Sequence, residues 1–243
     1  VLMDGVLSGP VAAASSSRAA AGRILYVPQF AQHPVDAGIA ALTQRAAHDL
    51  AAMGYAVDQA PAWDLAEEVN ALWPTLSCAG LAWMLAQPAR FAEFAGAPPD
   101  IALCGDAAQA ALQAGRRASA TALFEVLAVV HTLLQQLDTV FAGYDFILTP
   151  AAAALPWAAT QTHPEHINGV ACGPRGHAVF TAFANAAGLP AVALPCGQVD
   201  GLPVGLQLVG RPGADAAVLA TAQRYEAQHP WAGAWPTPPT NGA

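Results

Sequence analysis

Residues 185–212, NAAGLPAVALPCGQVDGLPVGLQLVGRP, limit the fold more than any other part of the chain. Two apolar runs, 191–195 and 204–209, flank a joint at 197–203 that is rich in Gly and Pro. Each run is shorter than the ~10–12 residues of a helix and is rich in Val and Leu, as strands are. Asp200-Gly201 within a seven-residue joint predicts a hairpin whose loop is longer than the tightest turns. Nearly every residue of both runs is apolar. Two strands in the middle of a sheet, with helices on both sides, are therefore expected.

The rest of the chain alternates strand and helix signals. Residues 23–27 (RILYV) read as a strand, and 35–53 as a helix with apolar positions 35, 39, 42, 46, 50 and 53. Gly54 closes that helix and a strand starts at 55–57, so a right-handed parallel βαβ unit is expected. Residues 64–87 read as a helix with Asp64 as N-cap and Glu67 at the capping-box position. Its Trp73, Trp83 and Met84 are assigned to core, with pocket wall as the alternative. A loop at 88–99 with a short helix near 91–94 precedes a long helical pattern, 106–141, with a break expected at Gly115. A strand at 144–148, a loop at 151–176, a short helix at 177–187 and a closing helix at 215–228 complete the pattern. In the closing helix Val218, Leu219, Ala222 and Tyr225 should face inward. The fold class is α/β: a mixed β-sheet sandwiched between helices, parallel at 24–27 and 57.

Three segments follow from this pattern: 1–22, 23–230 and a Pro-rich tail, 231–243. Residues 1–8 carry apolar positions as on a helix face and meet a Gly9-Pro10 stop without a preceding cap, as a fragment beginning inside a helix would. Residues 11–22 are small and flexible, a linker by composition.

Composition excludes several function classes. Hydrophobic residues make up 55% and charged ones only 11%, so either Ala and Gly cover much of the surface or part of it meets another segment. All nine basic residues are Arg, scattered singly apart from Arg116-Arg117, and the net charge is −8. A nucleic-acid groove needs clustered cations, so none is expected. No membrane span is expected, because Asp, Glu, Gly or Pro interrupts each apolar run, and 1–7 lack the basic start of a secretory signal. Cys78, Cys104, Cys172 and Cys196 lie far apart with no C-x-x-C, which reads as reduced thiols in a cytoplasmic protein.

The Asn-x-x-Gly-Leu-Pro-Ala lead, the Leu-Pro-Cys-Gly strand end and the run Asp-Gly-Leu-Pro-Val-Gly-Leu-Gln-Leu-Val-Gly-Arg-Pro carry a resemblance. Together they resemble the C-terminal signature of the amidase-signature family, which hydrolyses carboxamides and includes one component of the tRNA-dependent glutamine amidotransferases. Gly-Arg-Ile-Leu-Tyr-Val-Pro near residue 23 and Tyr-Asp-Phe-Ile-Leu-Thr-Pro at 144–150 are similar to two further strands of that family, and Leu-Ser-Gly-Pro at 7–10 to a helix end just after its catalytic core. The resemblance covers most of 1–230, most strongly 177–225.

The resemblance implies a Ser–Ser–Lys triad in which a neutral lysine is the base. The chain contains no lysine. Ser15-Ser16-Ser17 are preceded by Ala and followed by Arg, without the glycines that let backbone N–H groups reach an oxyanion. No catalytic residue is therefore assigned. The resemblance implies substrate-pocket positions at Thr149, Pro150, Ala151, Phe180, Asn185, Pro195, Cys196 and Gly197. Cys196 reads as a structural cysteine, because nothing nearby in sequence beyond His177 and Asp200 could activate it. Gln207 is placed in a helix–sheet layer, where structural and functional roles stay equally open. His163, Glu165, His166, Cys172 and His177 lack the tight ligand pairs of a zinc site, and a substrate lid or inert surface is the preferred reading of their loop. The segment 210–215 lacks a Walker lysine and a dinucleotide fingerprint.

The expected function is that of the C-terminal portion of an amide hydrolase, inactive alone. Its partners would be a small-molecule amide and an N-terminal catalytic half, from the same gene or a separate chain. No cofactor, metal, nucleic acid or membrane is expected, and self-association is left open. Amidotransferase members carry a basic residue in the helix before the Tyr-Asp strand. Here 130–141 hold no Arg or Lys, which leans toward an uncharged amide. The alternatives are a fragment like the glutamyl-tRNA(Gln) amidotransferase component and a non-catalytic partner protein.

Overall fold

A computed structural model describes residues 22–60, 63–91, 94, 96–97 and 99–231. The expectations for 1–21, 61–62, the middle of the 91–94 turn and 232–243 lie outside the described residues. The chain divides into two compact units, one built from the segments up to Trp63 and from Thr139 onward, the other from Asp64–Asp138.

The first unit holds a five-stranded mixed sheet. Its strands are β1 (Arg23–Tyr26), β2 (Ala56–Gln59), β3 (Phe146–Pro150), β6 (Ala191–Val199) and β7 (Leu202–Gly210), in the order β2-β1-β3-β7-β6. β1 pairs in parallel with both β2 and β3, and β7 pairs antiparallel with β3 and β6. The expected βαβ unit is present, with helix α1 (Ala37–Ala52) as its crossover. α1 starts at Ala37, not Val35, because the Asp36 carboxylate accepts from Gly38 N at 2.8 Å and Ile39 N at 3.2 Å. Such a cap contributes about 1 kcal/mol.

One sheet face packs on α1 and on α6 (Asp215–Gln228). Ile24, Tyr26, Phe146, Leu148, Leu194, Leu206 and Leu208 from the strands meet Ala46, Leu50, Val218, Ala222 and Tyr225. Side chains alternate along strands, so Ile147, Thr149, Gln207 and Val209 point to the opposite face. There, α5 (Ala182–Ala186) and the chain before it bring Phe180 and Phe183, both fully buried against Phe30, with ring centroids 4.9 and 5.6 Å apart.

The hairpin departs from expectation in two ways. Its loop is the tightest kind, since β6 and β7 run to Val199 and Leu202 and only Asp200-Gly201 turn the chain. Both turn residues have positive φ, 50° and 78°, the geometry that matches the twist of paired strands. The extra length absorbed into the strands includes a bulge at Cys196, because Pro195 pairs with Gly205 and Gly197 with Val204. β7 is interior, but β6 ends the order of described strands, with Ala191 and Ala193 exposed, so it is not a doubly covered strand here.

The second unit contains α2 (Glu67–Ala86), α3 (Asp106–Arg117) and most of α4 (Ala120–Phe141). Asp64 does not cap α2: Ala66 precedes the helix with no side-chain cap bond, and Asp64 only accepts from Glu67 N through its backbone. The 106–141 pattern breaks at Ala118-Ser119, not at Gly115. Gly115 sits inside α3, where a Cβ would collide with the Cys78 carbonyl of α2. The short turn of the 88–99 loop is a 3-10 turn at Pro88–Arg90.

The core reading of Trp73, Trp83 and Met84 does not hold. Val69 is the only buried residue described in α2, and Trp83 is 52% exposed, meeting Phe91 edge-on with Arg90 over its ring. The membrane expectation also needs correction. By length and composition alone α2 and α4 are apolar enough to cross a membrane, with mean hydropathies of 1.2 and 1.4. Their scattered Glu, Asp, Gly and Pro are too few to lower the mean below that of a span.

In the 151–176 segment, expected to be all loop, a small hairpin pairs β4 (His166–Ile167) with β5 (Val170–Ala171). The expected 177–187 helix is a 3-10 turn at Gly176–Ala178 followed by α5.

Candidate functional site

The end of β3 forms the most heavily bonded point of the sheet. Thr149 and Gln207 are register partners on β3 and β7, with exposures of 0% and 7%. Gln207 Nε2 donates to Thr149 Oγ1 at 3.2 Å and to the Phe180 carbonyl at 2.8 Å. Thr149 Oγ1 donates in turn to the Pro150 carbonyl at 2.7 Å. Past the strand, Ala151 N donates to Gly205 O and Ala153 N to His177 O, both at 2.9 Å. Thr149, Pro150, Ala151 and Phe180 are thereby held together on the sheet face away from α1. Asn185, on α5, is exposed. The hydroxyl of Thr149 is committed to hydrogen bonds within the fold, so it shapes this end of the strand rather than supplying a nucleophile.

Pro195, Cys196 and Gly197 belong to a different place. They border a cavity of about 1220 Å³ on the α1/α6 side, together with Arg45, Asp49, Tyr225 and Trp231. None of the other five positions implied by the resemblance borders it. The bulge decides this geometry. Gly197 takes φ 146°, and a Cβ there would lie 2.7 Å from Leu42 Cδ2 of α1. Only glycine lets the strand pass so close to the helix in that conformation. The eight residues therefore fall into two groups divided by the sheet, a split that period-2 alternation and the bulge produce together.

Burial pushes the Cys196 thiol up to about 11, against the opposing pull of Arg45, and its Sγ–H faces the Val204 carbonyl at 3.5 Å. It is a neutral thiol at physiological pH. Neither sequence neighbour activates it. His177 packs on Trp157 with centroids 4.7 Å apart, and Asp200 sits in the hairpin turn. Burial also lowers the His177 imidazole, helped by the charges of Arg175 and His163, and its Nδ1 is buried with no hydrogen-bond partner among the described residues.

In the neighbouring loop Cys172 Sγ donates to Pro164 O at 3.0 Å and its N–H to Glu165 O at 2.9 Å, while His163 Nδ1 pairs with Thr162 Oγ1 at 2.9 Å. Among the described residues no three His, Cys, Asp or Glu side chains converge in a way that could hold a metal ion. Sequence reasoning had no place for Arg45, and it treated Tyr225 as plain core. The available signal was Arg45 and Asp49 at i, i+4 on α1, one helix face.

A family model described as Amidase matches residues 5–219. The chain belongs to the amidase family. Over 103 residues this amidase-family chain is 35% identical to the GatA-type component of a glutamyl-tRNA(Gln) amidotransferase from Dehalococcoides mccartyi, an alignment covering 42% of the chain and 20% of that relative. A comparable stretch is 38% identical over 107 residues to the like-named protein of Streptococcus mutans, covering 44% of the chain and 21% of the relative. Among solved structures, 6-aminohexanoate cyclic dimer hydrolase superposes with a TM-score of 0.75 at 20% identity, covering 93% of this chain and 48% of that one. A bacterial aryl acylamidase of the amidase-signature enzymes superposes with a TM-score of 0.70 at 24% identity, covering 88% and 45%. These structures share the fold. The chain spans just under half the length of the solved structures and aligns with about a fifth of the curated relatives.

Proposed function

We propose that these 243 residues form the substrate-shaping part of an enzyme that cleaves a carboxamide to a carboxylate and ammonia or an amine. The serine nucleophile, the bridging serine and the lysine base are supplied by polypeptide outside them, whether of the same gene or a separate chain. The observation that carries this reading is the absence of any lysine from a chain of the amidase family. The knit of Gln207, Thr149 and Phe180 supports it, since it fixes the Thr-Pro strand end where ligands of open α/β sheets usually sit. The substrate is a small-molecule amide, with no cofactor, nucleic acid or membrane, and the compartment is the cytoplasm. The purified chain should release no 4-nitroaniline from 4-nitroacetanilide. Activity should appear on adding a polypeptide that carries the Gly-Gly-Ser-Ser-Gly-Gly-Ser motif and a lysine. Hydrolysis by the chain alone, free of other protein, overturns the reading.

A second reading is an amidotransferase-type chain acting within a larger complex, favoured by the curated relatives of that name. Against it, residues 130–141 at the end of α4 carry no Arg or Lys to hold a substrate carboxylate. Glutamine and an uncharged amide, compared as substrates of the reconstituted enzyme, separate the two.

A further inference from the structure

The cavity beside Cys196 lies across the sheet from Thr149 and Gln207, and the amide chemistry proposed above makes no use of it. Tyr225 is 2% exposed and borders this cavity, yet its hydroxyl has no hydrogen-bond partner among the described residues. A buried hydroxyl without a partner costs about 1–3 kcal/mol, so its place on a cavity wall points to an acceptor there. Arg45 borders the same cavity and makes no ion pair among the described residues. Asp49, four residues along the same helix, turns to His229 at 3.6 Å instead.

These groups act on one another. The charges of Asp49 and Arg45 both reach the Tyr225 phenol, and that of Arg45 reaches Cys196. Burial raises the Tyr225 phenol further, so it keeps its proton and remains a donor. The cavity thus offers a guanidinium and a phenol O–H, beside apolar walls that include Pro203 and Trp231. An occupant matching both features needs a negatively charged acceptor at one end and a hydrocarbon body at the other. A compact inorganic anion would leave the apolar wall uncovered. A neutral hydrocarbon would leave both donors unmatched.

We propose that this cavity binds a small apolar monocarboxylate, with Arg45 and Tyr225 donating to its carboxylate and Pro203 and Trp231 covering its body. Because the site lies on the other face of the sheet, the proposal stands whether or not the amide-hydrolase reading does. The test is calorimetric titration of the chain with 3-phenylpropanoate and with 3-phenylpropan-1-ol, which has the same body without the charge. The acid should bind saturably and the alcohol at least about tenfold more weakly, the loss expected on removing a charge-assisted pair. Arg45→Gln, a change at an exposed position, should weaken the acid about tenfold and leave the alcohol unaffected. Tyr225→Phe should weaken the acid in the same direction; should it fail to fold, the Arg45 variant decides. Equal binding of acid and alcohol, unchanged affinity in Arg45→Gln, or no saturable binding of the acid up to about 10 mM would overturn the proposal.

Discussion

Gln207 Nε2 lies 3.2 Å from Thr149 Oγ1, its register partner on the neighbouring strand, and 2.8 Å from the Phe180 carbonyl. One amide therefore joins β7, β3 and the segment leading into α5. Gln207→Leu keeps the volume but leaves a buried carbonyl and hydroxyl short of a donor. A loss of about 1–3 kcal/mol in urea unfolding is expected. A change below the error of the measurement would mean that this bond network does not hold the strand end.

Gly197 makes a second structural demand. Gly197→Ala introduces a Cβ at φ 146°, 2.7 Å from Leu42 Cδ2. Backbone strain and overpacking together should cost about 1–3 kcal/mol. Gly201→Ala, at φ 78° with nothing near the added methyl, should cost less. Equal losses from the two would show that contact with α1 contributes nothing.

The Cys196 thiol, pushed up to about 11 by burial, should resist iodoacetamide at pH 8 in the folded chain and react once the chain is unfolded by urea. The unfolded thiol loses its proton first, so the fold loses stability as pH rises from about 9 toward 11. Denaturant midpoints measured across that window should fall less in Cys196→Ser. Rapid alkylation of folded Cys196 at pH 8 would contradict the burial argument.

His177 gives the opposite slope. Its imidazole is lowered in the fold, chiefly by burial, so the unfolded chain takes up a proton first as pH falls through the ordinary histidine range. Stability contributed by neutral His177 is present above that range and is lost below it. The effect is modest, because the side chain is only partly buried. Thermal midpoints between about pH 7.5 and 5 should decline more in the native chain than in His177→Gln, and parallel curves would remove His177 from the explanation.

Asp36→Ala removes both bonds to the first turn of α1 and should cost about 1 kcal/mol. Asp36→Asn or Asp36→Ser should recover most of it, which separates capping from a simple loss of charge.

Local patterns were enough for the elements whose faces repeat regularly. The apolar positions 39, 42, 46 and 50 identify α1, and all four are buried. The closing helix matches its expected bounds of 215–228, with Val218, Ala222 and Tyr225 inward. Short-range rules failed where a tertiary contact set the outcome. Asp64 has the chemistry of a cap, but the chain enters α2 at an angle that leaves Ala66 at the cap. Gly115 has the chemistry of a break, but close packing on α2 uses it inside a helix. Trp83 has the chemistry of a core residue and is half exposed.

The order of residues along the chain determined the alternation of strands and helices, the Leu- and Val-rich hairpin, the kinship with amide hydrolases and the lack of a lysine base, because each is written in periodicity or in residue identity. Only the tertiary structure decided on which side of the sheet each pocket residue lies. A strand shows its two faces in alternation, and a single extra residue at Cys196 shifts every later side chain relative to its partner strand. That shift set Cys196 beside Arg45 and Tyr225 and left Thr149 and Phe180 across the sheet, a division no linear spacing encodes.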